Sequence, residues 1–180
     1  MNFKNLKKNI LGKDDKSKIG EIDKDILELV KKINKENDYF TTSSCSGRIV
    51  LQTGEKKTNI EWVKVSHDEV DLGWVKSTEL PEKVLWFRME PVILHVACSS
   101  VEKAQELLDK AQPIFKKSFI QTTRNKIMVE IKGSEYVEAP VADGKWLVDD
   151  NYLKILIEEA NKKLKRTREK INKLLVLWPV

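Results

Sequence analysis

Apolar side chains recur every three or four residues in four stretches of this chain, and alternate or run together in most of the rest. Phe3, Leu6, Ile10 and Leu11 keep helical spacing until Gly12 stops them. A Lys/Asp-rich connector runs to Gly20, and Ile22, Ile26, Leu29, Val30 and Ile33 then predict an amphipathic helix ending near Asn34 to Asn37. Val101, Ala104, Leu107, Leu108 and Ala111 predict a third helix, with Ser99 as its cap and Glu102 completing a capping box. The last helix, opened by Asp149 or Asp150, carries a stripe from Leu153 and Leu156 through Ile157, Ala160, Leu164 and Ile171 to Leu175, a period spanning about 25 residues.

The remaining apolar runs read as strands. Tyr39 to Thr42 leads into the small polar residues Ser43 to Gly47, and a second β-prone run leaves from Arg48. Trp62 to Ser66 ends on His67. Val84 to Glu90 and Val92 to Cys98 are two strands, or one bent at Pro91, apolar enough on both sides to be covered on both faces. Phe115 to Gln121 and Lys126 to Lys132 form a hairpin, and Tyr136 to Val141 meets Trp146 to Val148 across Asp143-Gly144. Residues 53–59 read as a basic hairpin connection, and residues 71–82 as a loop. The order implies one α+β domain over residues 1–180, with helices packed on a mixed or antiparallel sheet in roughly doubled strand–helix halves.

Charge adds a direction to this outline. The net charge is +5, but residues 1–18 hold six lysines against two aspartates, and residues 150–180 hold eight basic and four acidic side chains. Basic ends around a slightly acidic body suit a polyanion, with a Lys-rich solvated surface as the alternative. Within the last helix, Lys162, Lys163, Arg166 and Lys170 recur at spacing that shares one face, where they could meet an RNA backbone or merely complement the helix dipole. Two cysteines, no secretory segment and no apolar run of membrane-spanning length imply a reducing cytoplasm and no membrane partner.

Candidate chemistry gathers around the serine-rich stretch. Ser43, Ser44, Cys45, Ser46, Gly47 and Arg48 offer backbone amides, hydroxyls and one guanidinium, the makings of an anion cradle or of an ordinary Ser-rich turn. His67, following Ser66 at a strand end and beside Asp68 and Glu69, is placed as a general base or as a surface residue opening a helical turn. His95 lies on an almost wholly apolar strand, buried and hydrogen-bonded or opening into a pocket, and Glu90 precedes the Pro91 break. Cys45, Cys98, His67 and His95 match no zinc-site spacing, so no metal is expected. Cysteine-phosphatase chemistry is set aside, because only two residues separate Cys45 from Arg48.

The run Tyr39 to Arg48 resembles the signature of the wybutosine-synthesising tRNA methyltransferases. Val65-Ser66-His67-Asp68, Glu90 to Cys98 and Gly144 to Leu153 follow in the family's order, so the resemblance covers nearly the whole chain. It implies an enzyme that uses S-adenosylmethionine to methylate ring nitrogen N-4 of a tricyclic, guanosine-derived base just 3′ of the anticodon in phenylalanine tRNA. Ser43 to Arg48, Ser66, His67, Glu90 and His95 would then bind cofactor or substrate, with His67 as base and Arg48 on an anionic or carbonyl group. The seven glycines are isolated and form no Gly-x-Gly-x-x-Gly, so the cofactor site is not a Rossmann one. Residues 117–126 depart from the family's Gly-x-Arg-x-Ser-Gly-like segment, which makes a non-catalytic RNA-binding module the competing reading.

Overall fold

The computed structural model describes residues 2–12, 22–54 and 59–178. The connector expected before Gly20 falls mostly, and the basic tip at residues 55–58 wholly, outside them. Five helices and nine strands occur among the described residues: α1 Phe3–Leu11, α2 Lys24–Lys35, β1 Tyr39–Cys45, β2 Arg48–Thr53, β3 Glu61–Ser66, α3 Leu72–Lys76, β4 Val84–Glu90, β5 Ile93–Cys98, α4 Val101–Ala111, β6 Phe119–Thr122, β7 Ile127–Lys132, β8 Val137–Asp143, β9 Lys145–Trp146 and α5 Asp150–Leu177. The chain divides into two compact units, one of residues 1–46, 92–134 and 168–180, the other of residues 47–91 and 135–167.

The first unit holds a four-stranded sheet in the order β1-β5-β7-β6, with every pairing antiparallel. Ile26, Leu29, Val30 and Ile33 of α2, Leu107 and Leu108 of α4, and Ile171 and Leu174 of α5 pack with Leu94, Val96, Val129 and Ile131 of the sheet. Phe3, Leu6 and Ile10 of α1 cover Phe40, Ala97 and Met128 in a smaller cluster. β5 is therefore covered on both faces, as its apolar run requires.

The second unit holds five strands in the order β3-β2-β4-β8-β9, again all antiparallel. Ile49, Leu51, Leu85, Phe87, Met89 and Val141 pack with Leu153, Ile157, Ala160 and Leu164 of α5. Here β4 departs from the expectation of two covered faces. Leu85, Phe87 and Met89 are buried, whereas Val84, Trp86, Arg88 and Glu90 are half-buried, the alternation of a strand with one core face. No parallel pairing exists among the described residues, which separates the fold from a Rossmann sheet.

Several boundaries shift for identifiable reasons. α4 is capped by Ser100, whose hydroxyl accepts from Lys103 N, because Ser99 is engaged with Asp38 through its backbone and its hydroxyl. Residues 71–82 contain the short helix α3, capped by Asp71 accepting from Trp74 N at 2.7 Å. Asp149 caps α5 by accepting from Tyr152 N at 2.8 Å. Pro91 ends β4, and β5 belongs to the other sheet, so the two are separate strands.

Candidate functional site

The serine-rich stretch is mostly strand. β1 continues through Ser43, Ser44 and Cys45, which pair with His95, Leu94 and Ile93 of β5 past a bulge between Thr41 and Ser43. This corrects the expected loop of five small polar residues, because the pairing with β5 engages the backbone that would have lined an open cradle. Only Ser46 and Gly47 connect β1 to β2, and Gly47 adopts φ 91°, a left-handed conformation that glycine supplies without a side-chain clash.

An anion is already held at Ser46, and it is the chain's own. Asp23 Oδ2 accepts from Ser46 N at 2.7 Å and from Ser46 Oγ at 3.1 Å. Asp23 stands at the N-cap of α2 but makes no side-chain capping bond there. Arg168 of α5 donates to the Ser46 carbonyl and pairs with Asp25 at 3.0 Å. Residues from α2 and α5 thus fix the connector of the first unit from both of its polar sides.

His95 lies at the middle of a hydrogen-bonded chain. Its Nδ1 is 2.6 Å from Ser43 Oγ, and its Nε2 is 3.1 Å from Glu130 Oε2. Glu130, almost fully buried on β7, also accepts from Gln121 at 3.4 Å and has Lys132 at 3.8 Å. A carboxylate accepts hydrogen bonds, so Nε2 is the ring nitrogen that donates to it. Nδ1 then accepts from Ser43, whose side chain lies at the exposed end of the chain.

In the second unit, Arg48 and Glu90 are directly paired across β2 and β4, and Arg48 Nε donates to Glu90 Oε2 at 2.7 Å. The guanidinium carbon lies 4.1 Å from the centre of the Trp62 ring. Glu90 is therefore aimed by its register in the sheet rather than by the Pro91 break. Ser66 pairs with Ile49, next to Arg48, and closes a turn by accepting from Asp68 N and donating to Asp68 O. That turn presents the half-buried His67 at the same end of the sheet as Arg48 and Glu90.

Sequence reasoning missed Asp23, Trp62, Gln121 and Glu130. Asp23 follows the hydrophobic pattern of a helix start, and the others reach their partners only through strand register. On α5, Lys162 and Arg166 are exposed, whereas Lys163 and Lys170 are half-buried and Lys163 donates to the Tyr136 carbonyl at 3.1 Å. Burial pushes the Cys98 thiol up to about 12, so it is an inert packed thiol.

Residues 3–177 match the family model described as Methyltransferase TYW3. The chain belongs to the TYW3 methyltransferase family. A relative from Thermococcus sibiricus, "tRNA(Phe) 7-((3-amino-3-carboxypropyl)-4-demethylwyosine(37)-N(4))-methyltransferase", is 40% identical over 163 residues, covering 86% of this chain and 83% of the relative. The "tRNA wybutosine-synthesizing protein 3 homolog" of Xenopus laevis is 35% identical over 185 residues, covering 95% of this chain and 72% of its own length. The solved structure of PH1069 protein from Pyrococcus horikoshii superposes with a TM-score of 0.92 at 35% identity, covering 99% of this chain and 97% of that one. The TYW3 family assignment makes a methyl donor necessary, and no helix among the described residues is long and apolar enough to cross a membrane.

Proposed function

We propose that this chain transfers a methyl group from S-adenosylmethionine to N-4 of the demethylwyosine-type base at position 37 of phenylalanine tRNA. The observation that carries this reading is similarity over most of both chains to relatives named for that reaction, together with a family match that spans residues 3–177 and so includes Ser43 to Arg48. The residues present fit the donor. Arg48 retains terminal guanidinium nitrogens outside its bond to Glu90, a donor set for a carboxylate. When bound, the cofactor supplies an electrophilic methyl group on sulfur.

The protein's own part is to orient the base and to receive its proton. N-4 of the demethyl base carries a hydrogen, so forming the N–CH3 bond as the S–CH3 bond breaks leaves one proton to remove. His67, presented by the Ser66–Asp68 turn, is the proposed acceptor. His95 has both ring nitrogens engaged, one with the Ser43 hydroxyl and one with Glu130, so it holds Ser43 in place rather than serving as a free base. Lys162 and Arg166 supply exposed cations for the RNA backbone.

Calorimetric titration of the purified protein with S-adenosylmethionine tests the reading. Saturable binding is expected, and Arg48→Ala should weaken it by about 1.5–3 kcal/mol, as loss of a charge-assisted hydrogen bond does. A folded protein that binds phenylalanine tRNA but no S-adenosylmethionine would instead be an RNA-binding module.

A further inference from the structure

Across the sheet of the first unit, Ser43 of β1, His95 of β5, Glu130 of β7 and Phe119 of β6 stand directly opposite one another in turn. Directly opposed residues of antiparallel strands project to one face, so the four form a row. Ala97 and Met128, two residues along from His95 and Glu130, lie on the same face, and α1 covers them there. At the β6 end of the row the face is open. Phe119 is 46% exposed and joins none of the apolar clusters, whereas the next residue, Ile120, turns to the other face and packs on the core. Among the described residues, neither a cation nor a second ring lies on the Phe119 ring.

Positive charge surrounds this ring. Residues 116–132 hold Lys116, Lys117, Arg124, Lys126 and Lys132 against a single acid, the buried Glu130. Lys116, Lys117 and Arg124 are exposed, and so is much of the Lys132 side chain, which shares the face of Phe119. Cations alone would suit any polyanion, and one exposed ring alone would need no explanation. Together on an open sheet face they match the way unpaired RNA is held, with bases stacked on aromatic rings and phosphates met by basic side chains. A duplex presents its phosphates but keeps its base faces stacked on one another, so the ring selects a single-stranded segment. Three strand spacings, about 14 Å, separate Phe119 from Ser43, so a base on the ring is a different nucleotide from one touching the Ser43 hydroxyl.

We propose that Phe119, on the basic hairpin of β6 and β7, is the stacking platform for one unpaired nucleotide of the RNA substrate. The proposal rests on the tRNA-modifying function proposed above and adds to it the residue that distinguishes a loop from a duplex. It is tested by measuring the affinities of wild type, Phe119→Leu and Phe119→Trp for a transcribed anticodon stem–loop of phenylalanine tRNA and for a fully paired RNA duplex, with thermal unfolding of each protein. Leucine keeps the apolar bulk and loses the aromatic face. Phe119→Leu should bind the stem–loop about tenfold more weakly than wild type, with duplex affinity and melting temperature unchanged. Phe119→Trp should bind the stem–loop as tightly as wild type or more so, because it restores a larger ring. Wild-type stem–loop affinity in Phe119→Leu would overturn the proposal, as would a loss that the duplex shares equally or that Phe119→Trp does not recover. If wild type binds no stem–loop at all, the tRNA reading falls together with this one. Stem–loop binding that is indifferent to residue 119 overturns this proposal alone.

Discussion

Ser43, His95 and Glu130 form a hydrogen-bonded chain whose polarity is set by its most buried member. Glu130 can only accept from Nε2 as a carboxylate, and that leaves Nδ1 to accept a hydrogen bond from the Ser43 hydroxyl. Residues that act as one unit lose their effect together. Ser43→Ala, His95→Ala and the double substitution should therefore reduce kcat for methyl transfer to the same extent, with KM for tRNA little changed. Additive losses would show that the two side chains act separately. His67→Ala should lower transfer by about 10²-fold or more while tRNA affinity stays near that of wild type, as expected for loss of a general base. A rate within about threefold of wild type would remove His67 from proton transfer. The residue types of these candidate groups were legible in the sequence, because serines, an arginine, a histidine after a strand end and another within an apolar strand stand out from their background. Their partners were not, because Glu130, Gln121 and Trp62 become neighbours only through strand register, which composition does not encode.

At the scale of elements, helices were read more reliably than strands. Ile26, Leu29, Val30 and Ile33 keep one buried face through α2, and the same period carries α5 through 28 residues. β1 was cut short in the sequence reading because Ser43, Ser44 and Cys45 have little strand propensity; pairing with β5 overrides it. The basic face of α5 also needed the structure to be sorted. Lys163 is held by the Tyr136 carbonyl, while Lys162 and Arg166 are exposed one turn apart. Each phosphate contact releases counterions, so reversing both exposed charges to glutamate should weaken tRNA binding and lower the slope of log K against log salt by about two units. Binding of S-adenosylmethionine and the fold should be unaffected, because neither side chain enters the apolar stripe. An unchanged salt slope would leave these charges with only the helix dipole to serve.

For the molecule as a whole, two antiparallel sheets with separate cores make the α+β class and the doubled arrangement visible in the chain's order of elements. The first unit's core carries a pH dependence. Burial raises the Cys98 thiol from 9.0 to about 12, and burial followed by Glu106, Cys98, Asp38 and Glu36 raises the Tyr39 hydroxyl above its ordinary 10.0. Both groups release their protons at lower pH in the unfolded chain than in the folded one, so stability is fully present below about pH 9 and falls as pH rises toward 12. Urea unfolding compared at about pH 8 and about pH 10.5 should show a lower midpoint at the higher pH, and Cys98→Ala should reduce the difference. An equal midpoint at both would contradict the buried positions of Cys98 and Tyr39.

The most direct test is single-turnover methyl transfer. Phenylalanine tRNA bearing the demethylated tricyclic base is incubated with the protein and methyl-labelled S-adenosylmethionine, and its nucleosides are separated by mass. The expected result is one labelled methyl group on that base, at ring nitrogen N-4, with none on tRNA whose guanosine at the same position is unmodified. Tight tRNA binding with no label transferred, or label on another nucleoside, would contradict the assignment.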